Sequence, residues 1–481
     1  MASRSSSRWP RFFTRLTWAL FAVVLAAVAW RPGGEWTWGT VLHVDGFTQG
    51  MALVTTLVSG VVHSFARRYM AGARRLDRFY GRLFGLTLIV LGLVAANHLA
   101  LFAAFWAAMG GVLSGLIGHV RGWPQARAAA RYARHVFLGG SALLAGALAL
   151  LGWAAGTTTL TGVAAAAGTL STPVVYGAAC LLLLAAMVQS ALVPFHRWLL
   201  SSMTAPTPVS AFMHAGLVNA GGILIARFAP VLFADASVML VVAGVGGVSA
   251  LVGQAWMLVQ TDVKRQLGCS TVAQMGFMVL QGGLGFVAAA VTHLLLHGFY
   301  KAYLFLASGS VVEHTQPTSP SDEDVGPSMR SGVVALVTAL AGGALFAALT
   351  HKSIAALDSG TLLVGFVVLA VLHATRSVVR RADLAPTTRL WMVPAVLLPT
   401  VGGYALVYNG VSGLLHDLPA ATAPVELSAG HWILAAVFLG AYAALEWGAS
   451  YASTRLYVTL RNTSHPVSAT LLTQRDQYQA H

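Results

Sequence analysis

The chain has 481 residues, 57% of them hydrophobic and only 9% charged, with a mean hydropathy of +0.72. That balance excludes a soluble domain, and the long apolar runs exclude a β-barrel, which would show short alternating segments. A net charge of +14 would point to nucleic acid in a soluble protein. Here it points to basic loops held in the cytoplasm, with lipid and not nucleic acid around the chain.

The expected fold is all-α, a polytopic integral membrane protein of about fourteen transmembrane helices at roughly 20 residues each. The first 30 residues place Arg4, Arg8, Arg11 and Arg15 before an apolar run, as a signal peptide would. Arg31 and Pro32 follow that run and no small-residue cleavage site does, so it reads as the first span. The spans are expected near 17–30, 46–65, 80–97, 99–118, 135–154, 174–195, 207–228, 237–259, 265–281, 284–309, 330–350, 361–377, 390–409 and 430–447.

The loops alternate in charge. Arg67, Arg68, Arg74, Arg75, Arg78 and Arg82 follow span two, and Arg121, Arg127, Arg131 and Arg134 follow span four. Lys264 and Arg265 follow span eight, Arg376, Arg380, Arg381 and Arg389 span twelve, and Arg455, Arg461 and Arg475 lie in the tail. The intervening loops are poor in basic residues, and 155–174 carries no charge. Both termini are therefore expected in the cytoplasm, at the inner membrane. The acidic, Pro/Ser-rich loop 314–330 reads as a cytoplasmic connector or partner-facing loop. A single transmembrane domain is expected over 1–447, then a partly disordered cytoplasmic tail over 448–481. Cys180 and Cys269 lie in apolar runs and read as small core residues. No metal or cofactor site is expected.

Chemistry concentrates between Gln189 and Ser310, where His196, His214, Asp262, Lys264, His293, His297 and Lys301 interrupt apolar sequence. Ionisable groups at membrane depth are costly and mark function by default. His293, His297 and Lys301 are spaced i, i+4, i+8. A helix sets them on one face, roughly 6 Å apart per step. An imidazole gives and takes a proton near neutral pH, and burial disfavours the charged form of a lysine, so the row reads as a proton relay with water between its members. The competing reading is a set of hydrogen bonds that fix helix packing.

His214 lies in PTPVSAFMHAGLVNAGG, which fits either a helix broken around a site or a proline-initiated span with a glycine seam. Lys264, in QTDVKRQL, fits either a snorkelling interfacial charge or the inner end of a proton path. His63 reads as an anchor at the cytoplasmic end of span two and Glu446 as interfacial. His119, His135 and His373 receive no role.

From about Val44 to Val312 the sequence resembles the antiporter-like subunits of proton-pumping NADH:quinone dehydrogenase, especially subunit L (chain 5). The resemblance rests on WLLSSMTAPTPVSAFMHAG, VQTDVKRQLGCSTVAQMGFM and THLLLHGFYKAYLFLASGSVV. It fades after Ser331 and implies inverted five-helix repeats with broken helices. The family's central histidine falls on His214, its QTDIKR lysine on Lys264, and its later histidines and lysine on His293, His297 and Lys301. Its coupling glutamate falls on Ala107 and its pumping lysine on Gln189, so the pumping pair is missing. Against subunit L the chain is short, without a first span or a long lateral C-terminal helix.

The wording HRWLLSSMTAPTPVSAFMHAGLVNAGG is most similar to the DabB branch, membrane subunits of two-part bacterial inorganic-carbon accumulation pumps. That resemblance implies a large, zinc-containing partner of the DabA type, similar to β-carbonic anhydrase, on the cytoplasmic side. It implies that H+ or Na+ flow through this non-enzymatic chain drives CO2 to bicarbonate there. The histidines and lysines favour H+, because a sodium site would want carboxylates and carbonyls. The alternatives are a subunit of a respiratory dehydrogenase or multisubunit cation/proton antiporter, and a membrane anchor that conducts nothing.

Overall fold

A computed structural model describes residues 8–314, 329–352, 358–379, 386–416, 418, 427–448 and 454–466. The protein is an all-α, polytopic membrane bundle with one small antiparallel hairpin, β1 (Trp36–Trp38) against β2 (Leu42–Val44). The first half contains α1 (Trp9–Trp30), α2 (Gly46–Tyr69), α3 (Leu76–Ala95), α4 (Leu99–Ile117), α5 (Pro124–Ala155), α6 (Leu160–Ala166) and α7 (Thr172–Gln189). Four short helices follow: α8 (Arg197–Ser201), α9 (Thr207–Ala215), α10 (Ala220–Arg227) and α11 (Ala229–Leu232). Then come α12 (Ala236–Leu258), α13 (Val263–Gly283), α14 (Val287–His314), α15 (Met329–Thr350), α16 (Ser359–Val379), α17 (Pro386–Leu414), α18 (Ala429–Gly448) and α19 (Thr454–Thr463).

Among the described residues, 10 helices are long and apolar enough to cross a membrane, α9 and α10 counting as one broken span. They coincide with ten of the expected spans. The other four fall on α13, α14, α16 and α18. Of these, α13 and α14 carry the polar groups, while the apolar stretches of α16 and α18 are shorter, Ser359–Thr375 and Ala429–Ala444. Most of the expected connector over 314–330 lies outside the described residues, as do Arg4, Arg380, Arg381, Arg475 and 467–481.

Helix starts follow from local chemistry. Proline stands in the first turn of α1, α5, α7 and α9, where a missing N–H costs nothing. Asp45 caps α2 through Thr48 N (2.8 Å), and Asp262 caps α13 through Arg265 N (2.8 Å). Part of the tail is described, as α19. There α19 docks on the end of α12, with Arg461 donating to Val259 O (2.7 Å) and Trp256 Nε1 donating to Thr463 Oγ1 (2.9 Å). Its polar groups answer backbone and side-chain groups that α12 leaves open at its end.

Helices α12 and α13 pack backbone to backbone. A Cβ built on Gly276 would press on Gly246 O and the Ala250 N–H, and one on Gly253 on the Ala273 backbone. In a bilayer, such small-residue seams let helices approach and gain dispersion contact. The Gly276→Val variant should lose about 1–3 kcal/mol through overpacking, read as a lower melting temperature in detergent. The control is Gly244→Ala, where an added Cβ meets nothing within 4 Å. Equal melting of the two variants would count against the seam.

Candidate functional site

The site begins where two helices fail. Between α9 and α10 the helix breaks over Gly216 to Asn219, and between α7 and α8 the chain leaves helical geometry from Ser190 to His196. Exposed backbone polar groups are not tolerated at membrane depth unless something answers them. Each break answers the other. Ser190 Oγ donates to Val218 O (2.5 Å) and accepts from Gly221 N (3.1 Å). The Asn219 amide donates to Ala215 O (2.8 Å) and to Leu294 O on α14 (3.4 Å). Gly298 lets α14 lie against the same turn, since a Cβ there would stand 2.7 Å from Ala215 O.

This close approach brings His214 to the α14 stripe. His214 is fully buried, and its ring stacks on Phe305 of α14 at 4.2 Å. Its Nδ1 lies 2.9 Å from Thr271 Oγ1 on α13. The Thr271 hydroxyl donates to Leu267 O (2.9 Å), and Lys301 Nζ donates to that same carbonyl (3.1 Å). With its hydrogen spent on Leu267 O, the Thr271 oxygen accepts from His214 Nδ1–H. That leaves Nε2 as a lone-pair acceptor, buried and without a partner among the described residues. Lys301 has no exposed surface (0%).

His297 is buried one turn before Lys301, and neither of its ring nitrogens has a partner among the described residues. Its ring lies 6.0 Å from that of His293, which packs on Phe277 at 5.7 Å. Both histidines line a cavity of about 460 Å³ between α13, α14, α16 and α17, where Gln274, Gln281, Tyr300 and Tyr404 join mostly apolar walls. At ~30 Å³ per molecule that volume has room for on the order of ten waters.

Lys264 is half-buried at the start of α13, where its Nζ donates to Thr207 Oγ1 (3.0 Å) and Thr207 donates to the Tyr69 hydroxyl (3.1 Å). Lys264, Leu267 and Thr271 follow one another on one face of α13. The structure thus brings together His293, His297, Lys301, His214 and Lys264. It does not bring in Ala107, which is on the exposed side of α4 beside the buried Trp106. Gln189 ends α7 at the break, 1% exposed, with its Nε2 unpartnered.

Other polar residues have structural places. His196 packs on Trp256 at 4.1 Å and faces Thr463 O at 3.3 Å, so it seats α19. His63 is not an interfacial anchor. It is fully buried, with Nδ1 2.8 Å from Ser59 O, beside the Ser59–Thr87 pair (2.6 Å) and the Tyr80 ring. Glu446 lies where no side chain is described. Among the described residues no group of three or more His, Cys, Asp or Glu could hold a metal ion.

Asp45 and Arg227 escape a motif search. The Arg227 guanidinium engages both oxygens of Asp45, and also Thr48 Oγ1 (2.7 Å) and Val94 O (2.9 Å). Burial alone would raise the Asp45 pKa, but the charge and hydrogen bonds of Arg227, with those of Thr48, outweigh it and hold the carboxyl below 3.8. The pair ties α2 to the end of the broken helix. Its only signal in sequence is one acid and one base, each alone in apolar surroundings at span ends.

The family model described as "NADH:quinone oxidoreductase/Mrp antiporter, TM" matches residues 96–348, more than half of the chain. One described as "NADH-Ubiquinone oxidoreductase (complex I), chain 5 N-terminus" matches residues 30–80. The chain is 39% identical over 301 residues to "Probable inorganic carbon transporter subunit DabB1" of Halothiobacillus neapolitanus, covering 60% of this chain and 53% of that protein. It is 33% identical over 399 residues to NADH-quinone oxidoreductase subunit L of Escherichia coli, covering 81% of this chain and 64% of that one. The chain thus spans about half to two thirds of the length of these relatives. The Mrp complex of Dietzia sp. DQ12-45-1b shares its fold, with a TM-score of 0.58 at 22% identity over 95% of this chain and 50% of that one.

Removing one member of a buried ion pair strands the other. Arg227→Met should therefore destabilise the protein by about 3–5 kcal/mol, and the Asp45→Asn/Arg227→Met double variant should recover part of it. Because the folded Asp45 pKa is lowered, its contribution is full above the unfolded value near 3.8 and disappears as pH falls through the lower folded value. Melting curves of the wild type and both variants between pH 7 and 3 check this. Additive losses in the double variant would rule out the coupling.

Proposed function

Because this chain belongs to the family of NADH:quinone oxidoreductase and Mrp antiporter membrane subunits, we propose that it is the proton-conducting subunit of an energy-coupled inorganic-carbon pump. The single observation that carries conduction is the run of buried and half-buried groups: His293 and His297 at the cavity, Lys301 and, through Thr271, His214 meeting at Leu267 O, and Lys264 one turn beyond. The packing histidines His63, His196 and His431 each use one ring nitrogen, whereas His297 has no partner at either among the described residues and lies next to space for water.

In this reading a proton enters from cavity water at His293 and passes to His297. It then crosses to Lys301 or to the open Nε2 of His214. Lys301 releases it toward Lys264, which sits at the arginine-rich end of the bundle. Each transfer moves one proton and restores its donor, so the chain ends each cycle unchanged. The reverse order applies if the gradient is reversed.

The carbon-pump assignment is supported by the names of the most similar relatives and by Ala107 and Gln189, where the pumping glutamate and lysine are absent. The catalytic step, CO2 and water to bicarbonate and a proton, belongs to a large zinc-containing partner on the cytoplasmic side. Inward proton flow, with both termini of this chain in the cytoplasm of an inner membrane, keeps that step one-way. The driving force is about 2.3 kcal/mol per charge per 100 mV. The second reading, a respiratory or multisubunit antiporter subunit, has in its favour the match to subunit L over 81% of this chain.

One measurement separates these readings and a second tests the relay that both share. A tagged chain purified from its host should bring down one large zinc-containing subunit; a set of respiratory or antiporter subunits in its place would overturn the carbon-pump assignment. In proteoliposomes, His297→Ala and Lys301→Met should each slow proton uptake on the order of a hundredfold, while Cys180→Ser leaves it unchanged. Undiminished uptake in both variants would refute the relay.

A further inference from the structure

Membrane topology asks only that basic residues lie on one side. It does not ask them to converge, and here they do. Arg78 and Arg82 occupy successive turns at the start of α3, and Arg127, Arg131 and Arg134 follow one another at the start of α5. Between these two helix starts lies the end of α4, with His119 and Arg121 just beyond it. Helix α4 packs against both α3 and α5. The Arg82 guanidinium feels the charges of Arg121, Arg78 and Arg134, and His119 those of Arg82, Arg75 and Arg121. Burial, with those charges, holds the His119 imidazole below its usual 6.5 despite its hydrogen bond to the Arg74 backbone. It adds no further positive charge above that value.

These arginines form no ion pair among the described residues, although Asp77 stands beside Arg78 in the first turn of α3. Among the described residues the ion pairs involve only His43, Glu35, Asp45 and Arg227. The first turn of α5 holds no acidic residue, although a helix N-terminus carries partial positive charge and favours anions. Arg82 is fixed in place, its Nη1 donating to Gly115 O (2.8 Å), and Gly115 gives the guanidinium room to lie there. The side chains of Arg78, Arg121 and Arg134 are exposed and make no hydrogen bond or ion pair among the described residues. One anchored guanidinium and three exposed ones of like charge at the ends of apolar spans suit an anion with oxygens in several directions.

We propose that Arg78, Arg82, Arg121 and Arg134 form a binding site for the phosphate of an anionic membrane lipid. The cluster lies at span ends, where headgroups lie, and one turn further along α5 from Arg134 the exposed Leu138 (59%) offers apolar surface to an acyl chain. A free anion or an acidic protein surface has no use for that apolar surface. Lipid held here bridges the starts of α3 and α5 and relieves the repulsion between them.

The test uses the full chain in nanodiscs, with phosphatidylglycerol or phosphatidylcholine, and counts retained lipid by native mass spectrometry. The wild type should retain phosphatidylglycerol over phosphatidylcholine. Arg78→Gln/Arg121→Gln/Arg134→Gln should weaken retention about fivefold for each arginine removed. A charge-matched control, Arg8→Gln/Arg11→Gln/Arg455→Gln, should change it little. Equal loss in the control, no preference between the lipids, displacement by inorganic phosphate at the same concentration, or capture of an acidic protein at these arginines without lipid would each overturn the site.

Discussion

Everything in the centre of this protein depends on how it answers the backbone it breaks. A continuous helix over 207–227 would satisfy its own carbonyls and need no neighbours. The break at Gly216 to Asn219 releases carbonyls, of which Val218 O and Ala215 O receive their donors from the Ser190 and Asn219 side chains. Because Asn219 also reaches Leu294 O, the repair ties α14 to the broken helix. Gly298 removes the one Cβ that would keep them apart. The meeting of His214 with Lys301 across α13 is a consequence of that repair.

The same accounting separates structural from chemical polar groups. His196 and His431 each use one ring nitrogen to hold a neighbour, Thr463 and Ser428. His63 uses one on its own helix, beside a closed Ser59–Thr87 pair. His297 uses neither, yet it is buried. An unpaired buried polar group costs about 1–3 kcal/mol, so two unpaired nitrogens on one ring sit poorly with a packing role. Water in the adjoining cavity would satisfy them and would also carry protons, so the feature that looks like a defect in the dry bundle is what a relay requires.

Much of this is legible in the sequence because it is local. The stripe His293, His297, Lys301 depends only on helical spacing, and the helices come from apolar runs bounded by prolines, glycines and caps. What spacing cannot give is the partner across a gap. Thr271 is an unremarked threonine in an apolar run until α13 turns it toward His214, and the shared acceptor, Leu267 O, belongs to no side chain at all. Asp45 and Arg227 are 182 positions apart, and nothing in either neighbourhood names the other. The motif resemblance puts Ala107 in a pumping position, yet its side of α4 is exposed, a fact of helix rotation that a motif does not carry.

The two ends of the bundle follow opposite rules. At one end the loops bind each other: Asn97 N–H to Val41 O (2.9 Å), Leu160 N–H to Asn97 O (2.7 Å), and the Asp45–Arg227 pair across the broken helix. At the other, apart from the docked α19, arginines outnumber acids and find no carboxylates among the described residues. A closed, self-paired end and an open, positively charged end make the molecule electrostatically polar along the membrane normal. A proton moving from the cavity toward Lys264 moves toward that positive end and is opposed by it. Net flow in that direction needs an external gradient or a compensating anion, so the proposed relay would be coupled by charge to whatever neutralises the arginine-rich face.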